Sequence, residues 1–348
     1  VNHACFKFPY SDEIHICAQL SGDLLGLGDP ADLFGLSGFV IAPFVASIET
    51  PLILIRSDLC FTSSQKKEIA DFLQANHLLE KGESLNSSYP TEAETFTAYQ
   101  NAFSKGMKLL ETGELQKFIL SRTYFRKNVQ HSDYELFIKA TELYPDDFVV
   151  WFDTDRTGSW LSVTPELLMS ERRGVCSMAA LAATRQISDS SGQVVWDEKD
   201  RLEQRLVSDY IKGILLSMKV SFSQGDVQTI RAGNLFHLKS LFQFHPKKEC
   251  PGMLLRMLHP TPAVCGLPKV TAFEFIRKNE PVSREYYSGY TGCFNLLERT
   301  ELYVTLRCMK RVGQGAVLYA GGGILPMSDM KKEWLETESK LLTIKELF

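Results

Sequence analysis

The chain has 348 residues, 44% of them hydrophobic and 23% charged, the composition of a soluble globular protein with room for one large domain or two ordinary ones. Its 38 Lys and Arg against 42 Asp and Glu leave a net charge of −4, so there is no basic footprint for nucleic acid. The apolar run over residues 39–48 is too short to cross a membrane, and no basic segment followed by an apolar core opens the chain as a secretory signal would. Eight cysteines (Cys5, Cys17, Cys60, Cys176, Cys250, Cys265, Cys293 and Cys308) form no CxxC pair and no zinc-ligand spacing. They read as buried, reduced thiols of a cytoplasmic protein.

Residues 1–95 read as apolar strands, at 38–48 and 52–56, among polar loops, and 82–91 reads as an exposed linker. Residues 92–112 carry Tyr99, Phe103 and Met107 at helical spacing and stop at Gly113. Strand-like runs follow at 115–126, 147–153, 158–170 and 174–183, with a helix over 134–144. A strong helix is expected over 200–220, where Leu202, Leu206, Tyr210, Ile214 and Met218 recur every fourth residue. A short helix at 271–278, strands at 287–296, 302–311 and 316–320, and a closing helix at 329–342 complete the chain. Strands that arrive in groups, with helices around them, predict an α+β fold with antiparallel sheets. Neither a GxGxxG turn nor a Walker loop is present.

Several residues carry chemistry. Lys117 starts a strand, on the face of Ile119 and Ser121 and opposite Phe118 and Leu120. It reads as a solvated edge lysine or as a base among apolar neighbours. Glu166, between Pro165 and an apolar run, reads as a turn carboxylate or as a buried general acid. Glu203 borders the apolar stripe of its helix, paired with Lys199 or held by a metal. Arg307 interrupts an apolar strand and calls for a carboxylate, from the protein or from a ligand. His237 and His259 are polar groups in apolar surroundings. Gly321, Gly322 and Gly323 read as a turn, either a flexible exit or a set of exposed N–H groups for an anion, leading into a helix. On that helix Glu333, Glu336 and Lys340 share one face, suited to a hard cation and a second anion or else to plain solvation. Together these residues suit a small polyanionic substrate carried with a divalent metal.

The segments Lys117-Phe-Ile-Leu-Ser-Arg122, Thr164-Pro-Glu-Leu-Leu168, Glu198-Lys-Asp-Arg-Leu-Glu203, Leu258-His-Pro-Thr-Pro-Ala-Val-Cys-Gly266, Gly289-Tyr-Thr-Gly292, Thr305-Leu-Arg307, Tyr319-Ala-Gly-Gly-Gly323 and Glu333-Trp-Leu-Glu-Thr337 with Lys340 follow one another in order. As an ordered set they resemble the chorismate-utilising enzymes: isochorismate, salicylate, anthranilate and aminodeoxychorismate synthases. The resemblance runs from about Ala98 to Phe348 and is loose over the first ninety or so residues. It implies one domain over 1–348, with 1–95 its variable part and 96–348 its chorismate-binding part. The implied architecture is two packed antiparallel sheets with helices outside and a site in the cleft between the halves.

By the same resemblance, Lys117 marks the members that add water rather than ammonia, so an isochorismate synthase with no glutamine amidotransferase is expected, working as a monomer. Lys117 would deprotonate the water and Glu166 would protonate the departing hydroxyl. Mg²⁺ would be held by Glu203 and Glu336 with Glu333 nearby. Thr184, His237, Ala263, Arg307, Gly321, Gly322 and Lys340 would contact the substrate. Salicylate synthases usually have threonine where Ala263 stands, which implies a reaction that stops at isochorismate. The chain departs from the family at Ala183, where glycine is usual, and at Gln204, where many relatives have histidine. A menaquinone or a siderophore pathway is open, as is a chorismate-binding relative without activity.

Overall fold

The computed structural model describes residues 2–79, 89–186, 194–232, 235–246 and 250–348. Most of the expected linker at 82–91 lies outside the described residues. Its last residue, Thr91, caps the helix Glu92–Glu111 through a reciprocal pair with Glu94.

Two antiparallel sheets make up the described fold. One has nine strands, in the order Gly266–Leu267, Lys117–Arg126, Gly315–Ile324, Cys308–Val312, Gly158–Thr164, Phe148–Thr154, Asn2–Lys7, Ile14–Gln19 and Leu59–Ser63. The other has ten, running from Phe222–Gln224 through Leu235–Phe244, Val175–Gln186, Leu167–Arg172, Arg299–Val304, Tyr290–Leu296, Gly38–Ala42 and Leu52–Ile55 to Leu25–Leu27, with Gln228–Ala232 also on Leu235–Phe244. Both sheets take strands from the first 63 residues, so that segment is woven into them.

Between the sheets lies an aromatic core with Phe6, Phe39, Phe148, Phe152, Trp160, Tyr303 and Tyr319. Phe148 stacks on Tyr303 with centroids 4.2 Å apart. Burying a phenylalanine of this kind contributes roughly 1.5–3 kcal/mol. Helices cover the outer faces. Glu198–Ser217 starts at a capping box between Asp197 and Asp200 and buries Val207, Ile211 and Leu215 on the ten-stranded sheet. Met330–Lys345, capped by Asp329, buries Leu341 and Ile344 on the nine-stranded one.

Two expected strands prove to be two strands each. The run expected over 158–170 leaves the nine-stranded sheet after Thr164, turns at Pro165 and Glu166, and enters the ten-stranded sheet at Leu167. The run expected over 302–311 returns the other way, bending at Thr305, Leu306 and Arg307. The two bends lie side by side. Ser162 pairs with Cys308 on one side of them and Leu167 with Tyr303 on the other. Val163 N–H donates to Arg307 O at 3.2 Å, and Val304 N–H donates to Glu166 O at 2.9 Å. One ribbon of two strands therefore serves both sheets, and the cleft opens at its bend.

Candidate active site

The cleft encloses about 690 Å³, solvent included, and lies between the bent ribbon, the strand Gly315–Ile324 and the helix Glu198–Ser217. A space of this size suits a small-molecule ligand. Of the residues expected from sequence, Glu166, Thr184, Glu203, His237, Ala263, Arg307, Gly321, Gly322 and Lys340 all line it. Lys117, Glu333 and Glu336 are not part of its wall and stand directly behind it.

The glycines differ from expectation. Gly321, Gly322 and Gly323 are inside the strand Gly315–Ile324, paired with Ser121, Leu120 and Ile119 of the lysine-bearing strand. The neighbour on their other edge, Cys308–Val312, pairs only as far as Tyr319, so beyond that point this edge opens on the cleft. The missing side chains make room. A Cβ on Gly323 would sit 2.1 Å from Glu203 Oε1, and one on Gly322 would sit 3.6 Å from Glu336 Oε1 and 3.7 Å from Glu333 Oε2. The glycines let carboxylates crowd against a strand from both of its faces.

Each of these carboxylates has a lysine. Lys117 Nζ is 3.0 Å from Glu203 Oε1, with the lysine wholly buried. Lys199 Nζ donates to Glu333 Oε1 at 2.6 Å, so Lys199 serves the closing helix rather than its own-helix neighbour Glu203. Lys340 Nζ donates to Glu336 Oε1 at 2.8 Å and to the Gly321 carbonyl at 2.9 Å. Burial pushes Glu203 toward its neutral form, but Lys117, Lys199 and Lys340 overcome it and hold the carboxyl below the usual range. At Glu333 burial wins over Lys199 and its titration is raised. Among the described residues, no three carboxylate, histidine or cysteine groups are close enough to form a metal shell as they stand. The donor set nonetheless fits a hard cation: every donor is a carboxylate oxygen, and Glu333 Oε2 is buried without a hydrogen-bond partner.

The ribbon's bend carries the other half of the site. Glu166 is buried, and its titration is pushed up to about 7, chiefly by desolvation, against the pull of Lys117, Lys340 and Arg307. Arg307 sits at φ 44°, in the left-handed region, and lines the cleft from the bend. Its Nη2 donates to His237 Nε2 at 2.7 Å. Nη1 has no hydrogen-bond partner and makes a long ion pair, at 3.9 Å, with Asp147, a buried carboxylate that also lacks a hydrogen bond. A buried arginine whose hydrogen-bonding capacity is not filled by the protein can bind an anion.

His237 donates from Nδ1 to the Ala183 carbonyl at 2.8 Å, with Thr184 Oγ1 at 3.4 Å. Ala183 has φ 64°, at a break in the register between Ala182 and Arg185. The alanine thus adopts the conformation for which its relatives' glycine is suited, and its carbonyl reaches the histidine. Sequence reasoning missed Tyr287 and Tyr319 in the cleft wall, and Asp147 behind Arg307. The two tyrosines gave a faint signal, since each stands next to a quoted motif or opens one. His259 is not in the wall; its Nε2 donates to the carbonyls of Pro43 and Phe44 at 3.0 and 3.2 Å.

Two packed antiparallel sheets with helices on their outer faces make the chorismate-utilising fold. The chain belongs to the chorismate binding enzyme family, whose model matches residues 44–348. It is 29% identical over 261 residues to the isochorismate synthase MenF of Escherichia coli (strain K12), covering 72% of this chain and 60% of that protein. It is 32% identical over 200 residues to the isochorismate synthase EntC of the same organism, covering 55% of this chain and 51% of the relative. These alignments therefore span about half to three-fifths of the curated relatives. Among solved structures, that of the menaquinone-specific isochorismate synthase MenF of Escherichia coli superposes with a TM-score of 0.79 at 22% identity, covering 100% of this chain and 88% of the other. Anthranilate synthase component I of Streptococcus pneumoniae TIGR4 superposes with a TM-score of 0.71 at 17% identity, covering 99% and 90%. At these identities the likenesses show the fold.

Proposed function

We propose that the chain is an isochorismate synthase, converting chorismate reversibly to isochorismate by adding water at C2 while the C4 hydroxyl departs and the ring double bonds shift. The observation that carries this reading is Glu166, a buried carboxyl whose titration is pushed up to about 7 and which the ribbon bend holds in the cleft wall together with Arg307. A carboxyl kept protonated near neutral pH can protonate a departing hydroxyl. Arg307 and Lys340, both in the cleft wall, supply the positive charge for a ligand's carboxylates.

Lys117 takes the proton from the attacking water. Its Nζ is 3.0 Å from Glu203 Oε1, so Glu203 would have to release it before it meets the water. Glu203, Glu333 and Glu336 would hold Mg²⁺. When bound, that ion would supply positive charge to a ring carboxylate without a proton to account for. The Lys117 assignment supports water over ammonia as nucleophile, with no glutamine amidotransferase and a monomer sufficient. Ala263, whose side chain in the cleft wall carries no hydroxyl, favours a reaction that keeps the pyruvyl group.

The test is incubation with chorismate and Mg²⁺ without ammonium, with products separated by chromatography and identified by mass. Isochorismate in equilibrium with chorismate, and no pyruvate, is the expected result. Salicylate with pyruvate would replace this reading by a salicylate synthase, and no conversion would replace it by an aminating enzyme or a binding protein.

A further inference from the structure

Far from the cleft, at the opposite edge of the nine-stranded sheet, two cysteines face each other across adjacent antiparallel strands. Cys17 of Ile14–Gln19 and Cys60 of Leu59–Ser63 are direct partners in the register. Directly opposed residues of an antiparallel pair have α-carbons about 4.5–5.5 Å apart and side chains on the same face. A disulfide asks for about 4.4–6.8 Å. Their sulfurs are within hydrogen-bonding reach of one another, and the Ser57 hydroxyl is within reach of both.

The two thiols are unequal. Cys17 is buried in the core between the sheets, whereas Cys60 is exposed because its strand is the last of the sheet. The hydrogen bond from Cys17, opposed by partial burial and helped by Ser57, brings Cys60 below the ordinary thiol range, while Cys17 is raised by the same bond and by burial. An accessible thiolate beside a buried resolving thiol is the arrangement of a cysteine pair that exchanges with disulfides. The other described cysteines (Cys5, Cys176, Cys265, Cys293 and Cys308) are buried.

We propose that Cys17 and Cys60 form a reversible disulfide, made by exchange with a low-molecular-weight disulfide. The Cys60 thiolate attacks one sulfur of the small disulfide, forming a mixed disulfide and releasing a small thiolate. Cys17 then attacks Cys60 Sγ and releases the second small thiol, its proton passing to a departing thiolate. The protein pair loses two electrons, and the small disulfide is reduced to one thiol and one thiolate. The bond ties the outermost strand, which is paired along one side only, to the body of the sheet. The inference does not depend on the reaction catalysed in the cleft.

The experiment treats the purified full chain with oxidised glutathione at pH 7.5, blocks remaining thiols, and maps disulfides by mass spectrometry without reduction. The expected result is a peptide pair joined through Cys17 and Cys60, lost on dithiothreitol treatment and absent from Cys17→Ser. In Cys60→Ser, Cys17 should stay unmodified. Oxidation should raise the melting temperature by a few degrees, since the bond closes a long loop, and should leave the rate in the cleft unchanged. Glutathione left on Cys60 without a protein–protein bond, a bond from Cys17 to Cys293, or no reaction at either residue would each overturn the proposal.

Discussion

Arg307 fixes the tautomer of His237. The guanidinium can only donate, so Nε2 must accept at 2.7 Å, and Nδ1 must carry the proton that goes to the Ala183 carbonyl at 2.8 Å. A second proton has no place, and burial together with the charge of Arg307 holds this histidine well below its usual range. Above about pH 6.5 the ring is neutral in both the folded and the unfolded chain. Below that, the unfolded ring takes up a proton that the folded ring refuses, so stability falls with acid by up to about 1.4 kcal/mol per pH unit for each such histidine. Burial gives His259 the same direction, bringing it down to about 4. Urea unfolding at pH 7.5 and 5.5 should show a smaller acid loss in His237→Gln than in the wild type. An unchanged loss would remove His237 from this role.

Glu166 works in the opposite pH direction. Its folded titration near 7 lies above the unfolded value of 4.5, so its protonated form is favoured by folding and the carboxyl costs stability as pH rises between the two. Glu166→Gln should therefore be more stable than the wild type at pH 8, by up to a few kcal/mol, with little difference at pH 4. The same substitution should lower the conversion rate by about 10²–10⁴-fold while chorismate still binds. For the wild type, the rate should fall as pH rises through about 7. A Glu166→Gln variant with near-normal rate would end the acid assignment.

Lys117→Ala should abolish hydration while chorismate binding, measured by calorimetry, survives. Because the substitution strands a buried Glu203, a stability loss of about 3–5 kcal/mol is expected alongside it. Lys117→Gln keeps a donor and should fold better with the same loss of rate. Near-wild-type turnover in either variant would show that another group is the base.

Glu336→Gln should weaken the Mg²⁺ dependence of the reaction, seen as a rightward shift of the metal titration. An unmoved titration would remove Glu336 from the cation site.

Gly323→Ala places a methyl carbon 2.1 Å from Glu203 Oε1, next to Lys117 Cε at 3.1 Å. It should therefore disturb the base and the carboxylate together, with activity lost and a stability cost of about 1–3 kcal/mol from overpacking. Normal activity in this variant would mean that Glu203 need not approach the strand.

The sequence made most of the site's membership readable, because its residues stand in segments that keep a fixed order. The alternation that set Lys117 with Ile119 and apart from Phe118 was also readable, since period two is a property of any strand. Two things were not. The runs through Pro165 and Arg307 are apolar on both sides of a short polar interruption, because both halves of each are largely buried, so each run looked like one strand. The left-handed turn at Arg307 has no glycine to announce it. The triple glycine looked like a turn because the carboxylates that need its missing side chains come from other elements; Glu203 lies 120 residues before Gly323. The first strand was hidden for a related reason. Asn2–Lys7 is buried along its whole length, and its Asn2, His3 and Lys7 erase the pattern of a core strand.

The shared ribbon has a consequence for how the site can vary. Glu166 and Arg307 are locked together by the hydrogen bonds of one bend, while Lys117, Glu336 and Lys340 belong to a different part of the architecture. The buried carboxyl and the guanidinium thus behave as one jaw with a fixed gauge, and the lysine–carboxylate cluster as the other. On the proposed reading, a substitution at Lys117 would alter the second jaw without resetting the first.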